Sequence, residues 1–234
     1  MRLFILLAAA GCDTPNARAE ILICEATGAS PADDCTTDML LAKFHAGSQT
    51  MAYQPGAVFV VVTTAGTFGE AVVTRVAVTP TTFGEDPDTG RAEWENAADR
   101  VIREIRIPSD TLDAKKNKSD LLSAVSVATA EGNNYPALER HLTVASDGMF
   151  ISLGRSLEHD PLTADIAVYA VEASGLSWDL SGWNSISFCG WHAVGISADA
   201  WTRRRAVWDA LIAAGNGPAP GITTSCGVPP GGQE

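Results

Sequence analysis

The sequence is short of basic residues. Its 234 residues include 16 lysine and arginine residues against 28 aspartate and glutamate residues, which gives a formal net charge of −12. A chain of this sign repels the phosphates of nucleic acids, so we expect no nucleic-acid partner. The only cluster of lysines, at Lys115, Lys116 and Lys118, does not change that expectation.

The sequence also lacks the common motifs of several enzyme classes. It contains no dinucleotide-binding fingerprint, P-loop, H-E-x-x-H motif or C-x-x-C pair. No motif therefore indicates a nucleotide-binding enzyme, a zinc protease or a thiol oxidoreductase. Hydrophobic residues nevertheless make up 46% of the chain, which is enough to bury a core.

An apolar run, residues 3–10, follows Met1 and Arg2 at the N-terminus. It is shorter than the roughly 20 residues that span a bilayer, and its charged start is typical of an export signal. Residues 7–12, LAAAGC, resemble the lipobox of bacterial lipoprotein precursors, and the resemblance implies that Cys12 is lipidated. Secretory cleavage after Ala19 is the alternative. We assign residues 1–19 to an export signal with a lipobox-like sequence at Cys12. Both readings export the protein, to the periplasm, to a membrane by its lipid, or outside the cell.

Four cysteines remain once Cys12 is set aside as the lipid acceptor. In an oxidising compartment four cysteines allow two disulfides in three connectivities. We favour a short local bridge between Cys24 and Cys35 and a second bridge between Cys189 and Cys226, which would fasten the C-terminal segment. Free buried thiols are the alternative.

The order of apolar segments predicts an α+β fold, a single domain over residues 20–214 with a mixed central sheet and flanking helices. Apolar runs without alternation predict strands, and apolar residues three or four positions apart predict helices. The predicted strands cover residues 21–24, 57–63, 71–78, 166–171 and 185–194. The predicted helices begin near residues 30, 89, 119 and 199, and Gly47 and Gly215 are expected to end the first and last of them.

Two segments carry strong turn signals. Asp147 and Gly148 stand between the apolar runs 143–145 and 149–151, and Asp-Gly in this setting predicts a β-hairpin. Residues 215–234 contain six glycines and four prolines, so we expect a C-terminal tail that runs over the surface outside regular structure.

Tryptophan is concentrated near the C-terminal end, where five of the six tryptophans lie between residues 178 and 208. Trp178, Asp179, Trp183 and Asn184 fall in a polar segment, and loop indoles beside Asp and Asn are suited to stacking on a sugar and bonding to its hydroxyls. This segment is the predicted ligand-binding site. The alternative is a loop whose indoles fold back onto the core.

Two weaker patterns suggest chemistry. Asp86 and Asp88 stand at alternate positions in an acidic loop, and their carboxylate oxygens are suited to bind calcium, the one cofactor that the sequence suggests. Capping of the following helix is the alternative explanation of this pattern. The second pattern surrounds Ser156, after the apolar run 149–151. It resembles part of the nucleophile elbow of serine hydrolases. Its candidate catalytic residues are Ser156, Glu158, His159 and Asp160.

These observations favour an exported, lipid-anchored envelope protein that acts as a non-catalytic binding or structural module. Its expected partner is a cell-envelope or extracellular surface ligand, either glycan or peptide, because such surfaces tolerate an acidic protein. A secreted hydrolase, either esterase-like or glycosidase-like, is the alternative, so the sequence alone leaves enzymatic activity open.

Overall fold

The structure is a computed structural model that describes residues 17–25, 36–50, 57–64, 71–77, 87–104, 120–149, 151–152, 155–157, 163–176, 178–191, 197–224 and 226. Within these ranges the chain forms eight strands and five helices. The strands are β1 (Arg18–Glu25), β2 (Val58–Thr64), β3 (Ala71–Ala77), β4 (Glu139–Ala145), β5 (Ile151–Ser152), β6 (Arg155–Ser156), β7 (Ser185–Cys189) and β8 (Gly221–Ile222). The helices are α1 (Thr37–Thr50), α2 (Pro87–Glu104), α3 (Leu121–Asn133), α4 (Ala164–Ser174) and α5 (Ala198–Ala214).

Six of the strands form one sheet in the order β3-β2-β1-β4-β7-β8. β2, β1, β4, β7 and β8 run parallel, and β3 pairs antiparallel with β2 at one edge. β5 and β6 form a separate two-stranded ribbon. The predicted α+β fold with a mixed central sheet and flanking helices is confirmed.

Alternate residues of the central strands face opposite layers of helices, as the pleat of a strand requires. Ile21 and Ile23 of β1 belong to a core that includes buried residues of α3, α4 and α5. Leu22 of β1 belongs to a second core on the opposite face, built with Phe44 of α1 and Ile102 of α2. Because both faces are covered, the central strands read as continuous apolar runs.

The segment 166–171 was expected to be a strand, and this prediction is wrong. It lies in α4, whose N-cap is Thr163 and whose C-cap is Gly175 at φ 73°. The apolar residues 166–171 resemble a buried strand in composition, and periodicity does not separate a short strand from a short helix. The capping residues on either side carry the distinguishing signal.

The predicted Asp147-Gly148 hairpin is also wrong. β4 is a central strand that pairs in parallel with β1 and β7, and its chain does not fold straight back after Gly148. Gly148 does adopt the left-handed backbone, with φ 74°, that the turn signal requires. The dipeptide therefore marks a sharp turn at the end of a parallel strand.

Other element ends differ from the predictions. α1 continues past Gly47, and its first residue, Thr37, lies well after the expected start near residue 30. Met39 N donates to Thr36 Oγ1 at 3.1 Å, so a threonine serves as the cap. β7 ends at Cys189 and is not the last strand, because Gly221–Ile222 pairs with it as β8. The expectation that the tail stays outside regular structure is wrong for these two residues.

The three cysteines in the described part of the chain are disulfide-bonded. Cys189 and Cys226 are joined, with their Cα atoms 4.8 Å apart, which confirms that predicted pair. Cys24 is also disulfide-bonded. Cys35, its predicted partner, and the predicted lipid acceptor Cys12 lie outside the described residues. No helix in the described ranges is long and apolar enough to cross a bilayer.

Candidate functional site

The order of strands in the sheet changes direction between β1 and β4. β1 lies between β2 and β4, so the chain leaves β1 toward β2 on one side and later returns to β4 on the other. In open sheets of this kind, ligands bind outside the carboxyl ends of the strands at this change of direction. Residues 146–149, which we name the β4 loop, follow β4 at that position.

The β4 loop is held by its own side chains. Ser146, which is fully buried, accepts a hydrogen bond at Oγ from Gly148 N at 2.9 Å. Asp147 Oδ1 accepts one from Met149 N at 2.8 Å. The Ser146 amide also donates to Cys189 O at 3.0 Å, which joins the loop to the end of β7. These local bonds fix the position of the half-buried Asp147 carboxylate in the β4 loop.

Two side chains of α5 donate hydrogen bonds to the backbone of the same loop. Arg204 Nη1 donates to Asp147 O at 2.5 Å, and Trp208 Nε1 donates to Gly148 O at 2.8 Å. Two consecutive carbonyl groups of the loop are thus bound by buried side chains 57 and 60 positions further along the chain. The loop is therefore pre-organised by the core.

Arg204 occupies an unusual position for a charged residue, since it is only 1% exposed. Its guanidinium carbon lies 4.4 Å from the centroid of the Trp191 ring, an arrangement that favours a cation. Burial lowers the pKa of Arg204, while the charge of the nearby Asp147 carboxylate acts in the opposite direction. Its Nε and Nη2 have no hydrogen-bond partner among the described residues. Burying a guanidinium costs free energy. The hydrogen bond to Asp147 O and the contact with Trp191 offset part of that cost.

An aromatic cluster supports the β4 loop and accounts for most of the tryptophan-rich segment. Phe188 contacts both Trp191 and Trp208, with ring centroids 5.5 and 4.8 Å apart, and Trp178 stacks on Trp208 at 6.0 Å. Trp201 meets Trp191 edge-on, also at 6.0 Å. The concentration of tryptophan that suggested a recognition surface thus reflects the packing behind the β4 loop.

The predicted ligand-binding segment lies elsewhere, between the end of α4 and the start of β7. Its two indoles are buried, with Trp178 7% and Trp183 5% exposed. Trp183 packs against Gly132 of α3 so closely that an added Cβ there would approach Cζ2 of the ring to 2.3 Å. An indole stacks on a sugar only when one face of the ring is open to solvent. The two indoles are therefore not available as a stacking surface in this structure, and they fold onto the core.

The polar members of that segment bond to other parts of the protein. Asn184 Oδ1 accepts from Arg140 N at 2.8 Å, and Asp179 O accepts from Asn133 Nδ2 at 3.1 Å. Asp179 Oδ1 accepts from the hydroxyl and the amide of Ser181, and these bonds hold the pKa of Asp179 below its usual value. Asp179 and Asn184 are exposed, but their bonds serve to shape this segment.

Most of the residues proposed for catalysis and for calcium lie outside the described residues. Ser156 lies in β6, where it pairs with Ile151. Glu158, His159 and Asp160 lie outside the described residues, as does Asp86. Asp88 is the second residue of α2, which begins at Pro87, two residues before the predicted start near residue 89. In the described ranges, no group of three or more His, Cys, Asp and Glu side chains is placed to hold a metal ion.

Sequence reasoning missed the β4 loop as a site because it interpreted residues 143–151 as a hairpin. The signal that could have found it is the order of elements, in which a buried strand is followed by Ser-Asp-Gly and then by further helices. Arg204 and Trp208 gave no such signal, because neither their burial nor their contacts follow from local sequence.

No protein-family model and no curated protein matches the sequence. Among solved structures, a D319A mutant of the minor pilin PilB from Streptococcus sanguinis is similar in fold, with a TM-score of 0.52 at 11% identity. The match covers 90% of this chain and 58% of the pilin. At this identity the likeness concerns the fold alone.

Two further structures resemble the chain more loosely. The conserved hypothetical protein BatB from Bacteroides thetaiotaomicron has a TM-score of 0.43 at 13% identity, over 89% of this chain and 91% of that one. A von Willebrand factor type A structure from Catenulispora acidiphila has a TM-score of 0.41 at 16% identity, over 88% of this chain and 38% of that one. The chain therefore spans less than two thirds of the pilin and of the type A structure.

Proposed function

We propose that this chain is an exported, lipid-anchored binding module of the cell envelope, non-catalytic, that engages a protein or peptide ligand through the β4 loop. The observation that carries the proposal is the bonding of two consecutive carbonyl groups of that loop by Arg204 and Trp208. Binding sites gain affinity when the contacting segment is already ordered, because less conformational entropy is lost on association. A peptide surface is preferred over a glycan because the indoles predicted to stack on sugar are buried.

The disulfides support export. Cys189–Cys226 and the bond of Cys24 are features that persist in oxidising compartments and are rare in the cytosol. The position of the proposed lipid acceptor gives the module an orientation. Cys12 precedes Arg18, the first residue of β1, by six positions, so a lipid there lies within about 20 Å of the amino edge of the sheet. The β4 loop is at the opposite, carboxyl edge and would face away from the membrane.

The position of β1 also favours processing at Cys12 over cleavage after Ala19. Ala19 is fully buried and pairs with Val58 of β2 and Arg140 of β4. Cleavage after Ala19 would remove the first two residues of the central strand and their ladder hydrogen bonds.

We therefore expect the native protein to begin at lipid-modified Cys12, and intact-mass analysis with and without reductant is the measurement. Reduction should add the mass of two hydrogens for each disulfide opened. The Cys12→Ala variant, as a control, should lose both the lipid mass and membrane attachment. A mature N-terminus at Glu20 would contradict the lipid anchor and leave the export proposal standing.

The binding surface is tested by placing a photo-crosslinking amino acid at one position at a time in cells that make the protein. At Asp147, on the β4 loop, we expect a discrete crosslinked species. The matched control is Ala137, which is exposed and precedes β4 at the amino edge of the sheet. Equal crosslinking at both positions, or none at Asp147, would argue against the β4 loop as the contact surface.

A further inference from the structure

A small pocket lies between α4 and α5. Its volume is about 100 Å³, and its walls are largely apolar. The lining includes Val168, Leu176, Trp178 and Leu211, with Glu172 as the charged member. Binding sites for drug-sized molecules are typically about 300–1,000 Å³, so this pocket suits a single side chain.

The electrostatics of the pocket favour a positive charge. The pocket is lined by residues from the last turns of α4 and α5, where the helix dipole presents its negative end. Neither helix has a basic residue in its last turn. Glu172, which is exposed, adds a full negative charge at the same place. No lysine or arginine lies among the residues that line the pocket.

The neighbouring surface of α4 is suited to contact with a protein. Tyr169 is 71% exposed and Ile166 is 42% exposed, and these are the exposed large hydrophobic residues in the described part of the chain. Tyr169 stands three positions before Glu172, which puts both on one side of the helix. Tyrosine is enriched among the residues that dominate binding energy at protein interfaces.

We propose that the pocket receives a lysine side chain of a partner protein. The aliphatic stem of lysine would lie along Val168, Leu176 and Leu211, while its ammonium group would meet Glu172 and the carboxyl ends of the two helices. Lysine is the side chain that combines a long apolar stem with a compact charged head. Tyr169 and Ile166 would contact the residues on either side of that lysine. None of the residues that line the pocket belongs to the β4 loop, and the proposal does not rest on the function proposed for that loop.

The test is an NMR titration of the ¹⁵N-labelled protein with two capped amino acids, Ac-Lys-NHMe and Ac-Nle-NHMe. Norleucine has the same stem without the ammonium group, so the comparison isolates the charge. We expect saturable shifts of the Trp178 indole and of the Glu172 and Gly215 amides, with lysine bound about two- to fivefold more tightly than norleucine.

Two charge variants complete the test. Glu172→Gln should bring lysine affinity down to that of norleucine. Asp165→Asn removes one charge from the same helix, roughly 10 Å away in its first turn, and should leave the preference for lysine unchanged. The proposal is overturned if the two ligands bind equally well to the unmodified protein, if no shift saturates, or if Asp165→Asn reduces lysine binding as much as Glu172→Gln does.

Discussion

Gly148→Ala is expected to lower the free energy of unfolding by about 2–5 kcal/mol. Gly148 has φ 74°, and a left-handed backbone at a residue with a Cβ costs roughly 1–2 kcal/mol. An added Cβ would also lie 2.6 Å from Cζ2 and 2.8 Å from Nε1 of Trp191, a fully buried residue. Overpacking of this kind typically costs about 1–3 kcal/mol more, because Trp191 stands against Phe188 and Arg204 and has little room to move.

The matched control is Gly175→Ala. Gly175 has nearly the same backbone angle, with φ 73°, but its added Cβ would meet no atom within 4 Å. The free energy of unfolding of Gly175→Ala should therefore fall only by the backbone contribution of roughly 1–2 kcal/mol. Thermal unfolding followed by circular dichroism measures both variants, at about 2–4 °C of Tm per kcal/mol for a chain of this size. Equal losses in the two variants would mean that the indole is free to move away from the β4 loop.

The elements of the sheet that are buried on both faces could be predicted from the sequence. The valine-rich segment that became β2, a strand inside the sheet, follows from a continuous apolar run. α3 and its Asp120 cap, and the long α5, follow from local capping and periodicity. Each of these signals lies within a few consecutive residues.

The parts that could not be predicted depend on contacts between distant residues. The course of the chain after Gly148 depends on Trp191, Arg204 and Trp208, which lie 43 to 60 positions further along the sequence. The tryptophans of the candidate stacking segment illustrate the same limit. Local polarity suggested that Trp178 and Trp183 were exposed, but Trp178 is buried against Trp208 of α5 and Trp183 against Gly132 of α3.

Removal of the disulfide by the double substitution Cys189→Ala and Cys226→Ala is expected to lower the free energy of unfolding by about 3–4 kcal/mol. The cysteines are 37 residues apart in sequence, and closing a loop of that length restricts the unfolded chain by about this amount. The corresponding loss in Tm is roughly 10 °C. The double variant leaves the disulfide of Cys24 in place, so denaturation with and without reductant measures the two bridges separately.

The same variant should also loosen the end of the sheet next to the β4 loop. Thr223 N donates to Phe188 O at 2.9 Å, and Trp191 N donates to Thr223 O at 3.2 Å, so the short strand β8 is held beside the residue that packs on Gly148. β8 has two residues, so its ladder hydrogen bonds alone give it little stability. Amide exchange at Thr223 and Trp191 should therefore accelerate well beyond that at Val61 in the centre of β2. If stability falls by less than 1 kcal/mol and these amides stay protected, β8 is held by its packing, and the disulfide has no part in ordering the β4 loop.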